Sequence, residues 1–252
     1  MIKYIGIIPA RYGSTRFPAK PLAMLGGKPV IQHVWERVSE VLDRVVVATD
    51  DDRIANTVAA FGGKAVMTSL EHRSGTDRCY EAYINNAGNE DVIINIQGDE
   101  PFIAPSQIEA VMQCFVDDST DIATLIRPFA PELPFSSLEN PNVVKVVVDS
   151  HNKARYFSRS VIPYVRGEDR DRWPSVVQYY THIGLYAYRA HVLGEITRLS
   201  QSRLELTESL EQLRWLENGY TIQTAISDVA TIGIDTPADL ERAEQYLKTV
   251  EL

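Results

Sequence analysis

Short apolar segments alternate with amphipathic segments along the first part of the chain, and this alternation constrains the fold more than any other feature. Residues 3–8, 44–48 and 92–96 are almost wholly apolar and predict buried strands. Helical patterns lie between them, and the helix that Pro105 opens has apolar residues at the i, i+3, i+4, i+7 spacing. Strands that are apolar on both faces are typical of parallel sheets covered by helices. The sequence therefore predicts an α/β fold.

The middle of the chain has a different pattern. Strands are predicted there without helices between them, over residues 121–126, 142–149, 153–158 and 179–188. We expect a strand-rich antiparallel insertion over about residues 121–190, within a single domain that spans residues 1–252. The pattern then returns to α/β, with a helix over 207–217, a strand over 221–226 and a helix over 236–248. Thr236, Pro237 and Asp239 predict a capping box at the start of that last helix, with Asp in place of the usual Glu or Gln.

Composition excludes several classes of protein. The chain has 252 residues, of which 44% are hydrophobic, and carries 25 basic and 34 acidic residues, so its net charge of −9 should repel nucleic acids and anionic membranes. No apolar run approaches the roughly 20 residues of a membrane helix, and Pro9 and Arg11 interrupt the N-terminal run before a secretion signal could form. Cys79 and Cys114 are too far apart in sequence to suggest a disulfide framework or a zinc site. We therefore expect a cytoplasmic protein that neither binds nucleic acid nor inserts into membranes.

The loop after the first predicted strand concentrates positive charge. It has the sequence PARYGSTRFPAKPL over residues 9–22, and no Asp or Glu occurs before residue 36. Ligands of open α/β sheets bind beyond the carboxyl ends of the strands, where this loop must lie. The loop fits neither GxxxxGK[ST] nor GxGxxG, which disfavours kinase-type and dinucleotide-binding functions. It combines small residues that can face phosphate oxygens with basic residues that supply charge: Gly13, Ser14 and Thr15, and Arg11, Arg16 and Lys20.

Two carboxylates follow later strands. Asp99 lies in QGDEP, directly after the apolar segment 92–96, where it could hold Mg²⁺ on a nucleotide or simply form a turn. Asp235 lies in IDTP before a predicted helix, where it could instead complement the helix dipole alone. Together with the basic loop, these carboxylates at strand ends favour a phosphate-binding site.

Seven segments of the chain, in this order, resemble one enzyme family. They are PARYGSTRFPAKPL, RSGTDR at 73–78, QGDEP at 97–101, YFSR at 156–159, HIGLY at 182–186, ESLEQL at 208–213 and IDTP at 234–237. From residue 5 to about 246 the chain resembles the 3-deoxy-manno-octulosonate cytidylyltransferases, or CMP-Kdo synthetases. The N-terminal loop alone indicates only a sugar nucleotidyltransferase, and the later segments narrow the resemblance.

The resemblance implies a fold and an activity. The fold is a mainly parallel, Rossmann-like nucleotidyltransferase sheet with helices on both faces. The activity is the reaction of CTP with a 3-deoxy-octulosonate sugar acid (Kdo) to give the CMP-sugar and pyrophosphate, for lipopolysaccharide inner-core synthesis. The resemblance also implies Mg²⁺ as cofactor and a homodimer, with the strand-rich insertion serving sugar binding and dimerisation.

The resemblance, together with the loop pattern, assigns roles to individual residues. The expected catalytic residues are Arg11, Lys20 and Asp99, and the expected metal ligands are Asp99 and Asp235. The residues expected to bind the nucleotide are Pro9, Ala10, Arg11, Gly13, Ser14, Arg16, Lys20, Arg73, Ser74 and Gly75. The residues expected to bind the sugar are Gln97, Arg159, His182, Tyr186, Glu211 and Gln212.

Three questions stay open from the sequence. A cytidylyltransferase for a nine-carbon sialic acid shares the N-terminal loop, and a nucleotide-binding regulator without catalysis is a further alternative. The natural sugar could be Kdo or its 8-amino analogue. The run Asp50-Asp51-Asp52 mimics a DxD metal motif, but acids also belong at a helix N-terminus, and we interpret the run in that second way.

Overall fold

The structure is a computed structural model that describes residues 2–13, 17–230 and 232–250. Its strands are β1 (Tyr4–Ala10), β2 (Met24–Leu25), β3 (Lys28–Pro29), β4 (Val45–Thr49), β5 (Lys64–Met67), β6 (Val92–Asn95), β7 (Ile122–Pro128), β8 (Lys145–Val148), β9 (Ala154–Ser158), β10 (Tyr180–Arg189) and β11 (Ile222–Ile226). Its α-helices are α1 (Val30–Ser39), α2 (Asp52–Ala60), α3 (Gly75–Asn85), α4 (Pro105–Gln113), α5 (Phe135–Glu139), α6 (Trp173–Val176), α7 (Ala190–Ile196), α8 (Arg203–Glu208), α9 (Gln212–Glu217) and α10 (Pro237–Val250). Short 3₁₀ helices occupy Lys20–Leu22, Cys114–Val116 and Arg170–Arg172.

The chain divides into two compact units. The first contains residues 1–109 and 230–252, and the second contains residues 110–229. Strands β1–β6 belong to the first unit and β7–β11 to the second. The strand-rich insertion predicted over about residues 121–190 lies inside the second unit. That the chain acts as a single domain stays a prediction.

Four parallel strands form the sheet of the first unit, in the order β6-β1-β4-β5. Their apolar side chains are buried as predicted, with Ile7 and Ile94 fully inaccessible and Val46 nearly so. Helix α1 packs on β1 and β4, α2 on β4 and β5, and α3 on β1. Since β4 and β5 lie on one side of β1 and β6 on the other, the strand order reverses between β1 and β6. Open α/β sheets bind ligands at such a reversal, beyond the carboxyl ends of the strands.

The second unit is rich in antiparallel pairing, as predicted. Strand β10 pairs antiparallel with β7 and β8, and β8 pairs antiparallel with β9, whereas β11 runs parallel to β7. The register between β10 and β7 shifts between Ile183 and Tyr186, so β10 bulges there. The α/β fold class predicted from the sequence, a parallel sheet with an antiparallel region, is confirmed.

Two sequence predictions in the second unit are wrong in detail. The helix predicted over residues 207–217 is two helices, because Ser209 ends α8 with φ at 52°. A left-handed residue cannot continue a right-handed helix, and the sequence pattern does not reveal it. The region predicted to lack helices contains α5, whose Phe135 and Leu138 are buried beside Trp173. Five residues are too few to show a helical period.

The start of α10 confirms the predicted capping box. The Asp239 carboxylate accepts hydrogen bonds from the backbone N–H of Thr236 at 2.8 Å and of Asp235 at 3.0 Å. In return, the Asp239 N–H donates to the Thr236 hydroxyl oxygen at 3.3 Å. The Arg242 side chain also donates to Asp239, and these bonds outweigh burial and lower the pKa of Asp239 to about 2. Asp239 therefore fixes the backbone on which Asp235 stands.

We expect Asp239→Ala to lower the free energy of unfolding by about 1 kcal/mol near neutral pH, the usual cost of losing a cap. The pKa of Asp239 is lower in the folded state than its ordinary value of 3.8. Its stabilisation is therefore present above about pH 4 and is lost as the pH falls through about 2. Urea unfolding at several pH values measures this, with Glu241→Ala on the exposed face of α10 as the control. A loss of stability that did not change with pH would contradict the charged cap.

Candidate active site

A cleft of about 290 Å³ lies in the first unit, at the carboxyl ends of β1 and β6. Its lining residues are Pro9, Ala10, Arg11, Lys20, Pro21, His72, Arg73, Ser74, Gly75, Arg78, Gln97, Gly98, Asp99 and Asp235. The cleft thus brings together most residues expected at the nucleotide and the metal. Of the others, Gly13 is exposed in the loop after β1 and is not part of the lining, and Ser14 and Arg16 lie outside the described residues.

Lys20 joins the two carboxylates of the cleft. Its Nζ lies 2.5 Å from an oxygen of Asp99 and 3.1 Å from an oxygen of Asp235. The lysine side chain is 14% exposed, against 29% for Asp99 and 47% for Asp235. One ammonium group therefore faces two carboxylates in the lining of the cleft.

Three backbone features set the geometry of this cluster. The Ile234 N–H donates to the Asp99 carbonyl oxygen at 2.9 Å, which holds the segment after β6 against the segment before α10. Ala19 adopts a left-handed conformation with φ at 58°, and the 3₁₀ helix that starts at Lys20 follows it. The Ala19 N–H donates to the Tyr12 carbonyl oxygen at 3.0 Å and closes the loop after β1. The loop therefore returns Lys20 to the strand ends.

Two glycines let the walls of the cleft approach each other. A Cβ atom at Gly98 would lie 2.8 Å from the Pro9 carbonyl oxygen, and a Cβ atom at Gly75 would lie 3.3 Å from the Pro9 ring. Any side chain at Gly98 would therefore displace backbone at the end of β1. Ser74 is the N-cap of α3, and its hydroxyl oxygen accepts the Asp77 N–H at 3.1 Å.

Two arginines extend positive charge along the cleft. Arg11 and Arg73 line it, are exposed, and form no ion pair with any residue that the structure describes. The arginines are thus available for an anionic ligand.

Glu100 follows Asp99 in the segment after β6. Burial and the charge of Asp99 raise the pKa of Glu100 to about 7.

Four residues of the lining were not among the predicted site residues: Pro21, His72, Arg78 and Gly98. His72 forms a short hydrogen bond with Glu81, which also accepts the Ser69 N–H at 2.9 Å. Burial raises the pKa of Glu81, but these hydrogen bonds outweigh it and lower the pKa overall. His72 adjoins the segment RSGTDR and Arg78 belongs to it, whereas Pro21 and Gly98 lie in PARYGSTRFPAKPL and QGDEP, so these segments were the available signal.

Arg78 also explains the acidic run before α2. Its guanidinium is buried and donates to Asp50 at 2.7 Å and to the Thr68 hydroxyl oxygen at 2.6 Å. Asp51 is the N-cap of α2 and accepts the Arg53 N–H at 2.9 Å. The interpretation of the run as a helix start is confirmed for Asp51, whereas Asp50 serves an ion pair.

The residues expected to bind the sugar are divided between the units. Gln97 lines the cleft of the first unit and donates to the Asn95 side-chain oxygen at 3.3 Å. The others lie in the second unit: Arg159, His182, Tyr186, Glu211 and Gln212.

The Arg159 guanidinium forms most of its hydrogen bonds with backbone carbonyl oxygens. Its side chain donates to the carbonyl oxygens of Glu208 at 2.6 Å, Pro141 at 2.9 Å and Ser209 at 3.2 Å. The Arg159 carbonyl oxygen accepts a bond from Lys145 Nζ at 2.5 Å. Three of five guanidinium N–H groups are thus engaged, and two stay available for a ligand.

Lys145 is fully buried, which the sequence pattern did not indicate. Besides Arg159, its ammonium group donates to the carbonyl oxygens of Val143 at 2.6 Å and Asn140 at 3.2 Å. Burial lowers the pKa of Lys145 and outweighs the opposite effect of Glu208. The three carbonyls compensate for the desolvation of the charge and tie β8 to the end of β9.

His182 and Tyr186 form an aromatic cluster on β10. The His182 ring lies 5.2 Å from the rings of Phe157 and Tyr186, and Tyr186 packs edge-on against Trp215 at 5.1 Å. Burial lowers the pKa of His182 to about 4, so its imidazole is uncharged at neutral pH. Burial, and to a lesser extent the charge of Glu211, raises the pKa of Tyr186.

Glu211 and Gln212 lie at the start of α9. The Glu211 carboxylate accepts a bond from Arg214 at 2.8 Å, and Gln212 is 5% exposed.

Among the described residues, no group of three or more His, Cys, Asp or Glu side chains could hold a metal ion. No helix among them is long and apolar enough to cross a membrane.

The sequence of the chain is similar to those of known cytidylyltransferases. A family model described as cytidylyltransferase matches residues 5–224. A 3-deoxy-manno-octulosonate cytidylyltransferase of Phocaeicola vulgatus is 64% identical over 250 residues, which cover 99% of each chain. The corresponding enzyme of Thermodesulfovibrio yellowstonii is 48% identical over 97% of this chain and 98% of its own.

A solved structure is similar over the whole chain. It is described as CMP:2-keto-3-deoxy-manno-octonic acid synthetase complexed with CTP, and it is 44% identical to this chain with a TM-score of 0.90. The similarity covers 99% of this chain and 100% of the other. With the family model and the curated relatives, this shows that the chain belongs to the cytidylyltransferase family.

Proposed function

We propose that the chain transfers CMP from CTP to a 3-deoxy-octulosonate sugar acid and releases pyrophosphate, a reaction that serves lipopolysaccharide inner-core synthesis. The observation that carries the proposal is the cluster of Lys20, Asp99 and Asp235 in the lining of a cleft at the strand-order reversal. The names of the relatives at 64% and 48% identity, and of the solved structure at 44%, support the same reaction.

The chemistry needs charge neutralisation and positioning. The anomeric hydroxyl oxygen of the sugar attacks the α-phosphorus of CTP and loses its proton to solvent, while the bond from the α-phosphorus to the bridging oxygen breaks and pyrophosphate leaves with the electron pair. Both substrates are anions, so the site must overcome their repulsion and align them. Arg11 and Lys20 supply positive charge for the triphosphate, and Lys20 can stabilise the charge that grows on pyrophosphate as it departs.

The cleft of the first unit is the proposed nucleotide site. Pro9, Ala10 and Gly75 line the cleft, and their backbone groups can hydrogen-bond to the base. Arg73 and Ser74 add polar side chains beside them. From the loop after β1, Gly13, Ser14 and Arg16 stay predicted phosphate contacts.

Asp99 and Asp235 would hold Mg²⁺. The two carboxylates converge on one ammonium group, which places their oxygens close to one another. Carboxylate oxygens are hard ligands of the kind Mg²⁺ prefers, and one or two of them suffice when substrate phosphates and water complete the shell. A bound Mg²⁺ would neutralise phosphate charge as a Lewis acid. The residues present therefore fit the ion.

We expect Asp99→Asn and Asp235→Asn each to lower kcat by about 10²-fold or more, the scale for removing a group that stabilises charge in the transition state. The melting temperature should change little, because both side chains are partly exposed. Steady-state kinetics over a range of Mg²⁺ concentrations measure the effect, with Asp52→Asn on α2 as the control. If Asp235→Asn keeps a nearly normal rate at saturating Mg²⁺, Asp235 only starts a helix.

The sugar site is proposed to use Gln97, Arg159, His182, Tyr186, Glu211 and Gln212. The two guanidinium N–H groups of Arg159 that are not engaged could bind a carboxylate or hydroxyls of the sugar. The uncharged His182 ring could take part in hydrogen bonds with hydroxyl groups. These side chains combine charge for an acid with neutral polar groups for a polyol.

A substrate panel tests the function. We expect pyrophosphate release with CTP and Kdo, and much slower release when a nine-carbon sialic acid replaces Kdo. Kdo and its 8-amino analogue should be compared at equal concentration to identify the preferred sugar. No turnover with any 2-keto-3-deoxy sugar acid, despite tight CTP binding, would instead identify a nucleotide-binding regulator.

We also propose that the chain forms a homodimer through the second unit. Apolar side chains are exposed there, with Tyr164 at 72%, Val176 at 49% and Leu133 at 46%. Tyr164 packs on Trp173 at 4.8 Å, so the patch adjoins the cluster around Trp173. Exposed apolar patches of this kind mark interaction surfaces.

Sedimentation velocity at micromolar concentration should show a dimer. Tyr164→Asp should shift it toward monomer, because a charge would be buried in the interface. Leu70→Asp is the matched control, since Leu70 is 77% exposed in the first unit. A monomeric wild-type protein would refute the dimer, and an unchanged dimer in Tyr164→Asp would refute this surface.

A cytoplasmic location stays a proposal. Cys79 and Cys114 form no disulfide in the part of the chain that the structure describes, and Cys79 is buried, which agrees with a reducing compartment.

A further inference from the structure

Thr124 is a buried hydroxyl in an apolar strand. It lies in the middle of β7, whose residues from Ile122 to Ile126 are all buried, and Thr124 itself is 0% exposed. Neither the sequence pattern nor the resemblance assigns it a role. Buried hydroxyl groups are nearly always hydrogen-bonded, so the partners of Thr124 define what it does.

The partners of the Thr124 hydroxyl come from the bulge in β10. Its Oγ1 lies 2.8 Å from the Leu185 carbonyl oxygen, 3.3 Å from the Ile183 carbonyl oxygen and 3.0 Å from His182 Nε2. The register shift between Ile183 and Tyr186 lets both carbonyls face one side chain of β7.

These partners determine the tautomer of His182. The shortest contact of Thr124 Oγ1 is the one with the Leu185 carbonyl oxygen, which can only accept, so we assign the single hydroxyl hydrogen to that bond. Toward His182 the Thr124 oxygen can then only accept, which requires the hydrogen of the ring to be on Nε2. Since the ring is uncharged, Nδ1 carries a lone pair and accepts hydrogen bonds.

A second polar group lies next to this ring. The Tyr186 hydroxyl is buried and has no hydrogen-bond partner of good geometry among the described residues. Thr124 lies close enough to the Tyr186 hydroxyl to lower the pKa of Tyr186, against the larger effect of burial. The geometry between the two groups is nevertheless not that of a hydrogen bond. An acceptor on His182 and an unsatisfied hydroxyl on Tyr186 thus stand side by side, with ring centres 5.2 Å apart.

We propose that Thr124 is a positioning residue, whose hydroxyl fixes His182 as the tautomer with hydrogen on Nε2 and leaves Nδ1 to accept a hydrogen bond from a hydroxyl group of the sugar acid. A carboxylate offers only acceptors and would be repelled by Nδ1. His182 therefore recognises the polyol part of the substrate and not its acid group. The sugar contact rests on the proposed function, whereas the tautomer does not.

Nitrogen NMR tests the tautomer without any substrate. In protein labelled with ¹⁵N-histidine, His182 should show a protonated Nε2 and an unprotonated Nδ1, with His182→Gln used to assign its signals. Thr124→Ser keeps the hydroxyl and should keep this pattern, whereas Thr124→Val should change it toward a mixture of tautomers. An unprotonated Nε2 in the wild type would overturn the proposal, and wild type with Thr124→Ser suffices if Thr124→Val does not fold.

Kinetics test the consequence for the sugar. Thr124→Val should raise the KM for Kdo about tenfold, the effect of losing about one good hydrogen bond, with the KM for CTP unchanged. Thr124→Ser should restore the wild-type KM. The control is Thr224→Val, because Thr224 is the buried partner of Thr124 across β7 and β11 and donates to the Asn152 carbonyl oxygen at 2.7 Å.

The two measurements separate the possible failures. Equal KM values for Kdo in wild type, Thr124→Val and Thr224→Val would overturn the role of Thr124 in sugar binding. A similar rise in both threonine-to-valine variants would overturn it too, because that effect would come from packing. If the wild type turned over no sugar acid, the proposed function would fail, and the NMR pattern would still decide whether Thr124 sets the tautomer.

Discussion

The contact of the Lys20 ammonium group with Asp99 and Asp235 is the interaction on which the candidate site depends. These residues are 79 and 215 positions from Lys20 in sequence, so the contact joins three distant segments of the chain. Two carboxylates brought this close would repel each other without a nearby cation. Burial, and to a lesser extent the charge of Asp99, raises the pKa of the neighbouring Glu100 to about 7. The Lys20 ammonium group thus offsets repulsion between two carboxylates that it holds close together.

The parallel sheet makes this contact possible. Strands β1 and β6 are neighbours that end on the same side, so the loop after β1 and the segment after β6 begin next to each other. The bond from the Ile234 N–H to the Asp99 carbonyl oxygen adds the third segment at 2.9 Å. The capping box at Asp239 then fixes the direction in which that segment leaves. Backbone hydrogen bonds therefore place both carboxylates before any ligand arrives.

The sequence predicted the elements that have strong local signals. Apolar runs located β1, β4 and β6, and the strand-end rule placed the basic loop and Asp99 at one edge of the sheet. Features that depend on a single dihedral angle or on a distant partner had no such signal. Ser209 ends a helix through a left-handed φ. Asp50 lies in a sequence pattern that mimics a metal motif, but in the structure it forms an ion pair with Arg78. Lys145 on β8 gave no sign that it would be buried against backbone carbonyls.

The first unit is discontinuous, since it combines residues 1–109 with residues 230–252. During synthesis from the N-terminus, Lys20 and Asp99 leave the ribosome long before Asp235 does. The second unit, residues 110–229, is complete by then and can fold as a unit in the meantime. Closing the loop between Asp99 and Asp235 is entropically easier once that intervening segment is compact. The pair of Asp99 and Asp235 therefore assembles as one of the last events of folding. A nascent or truncated chain that ends before residue 235 lacks the complete cluster.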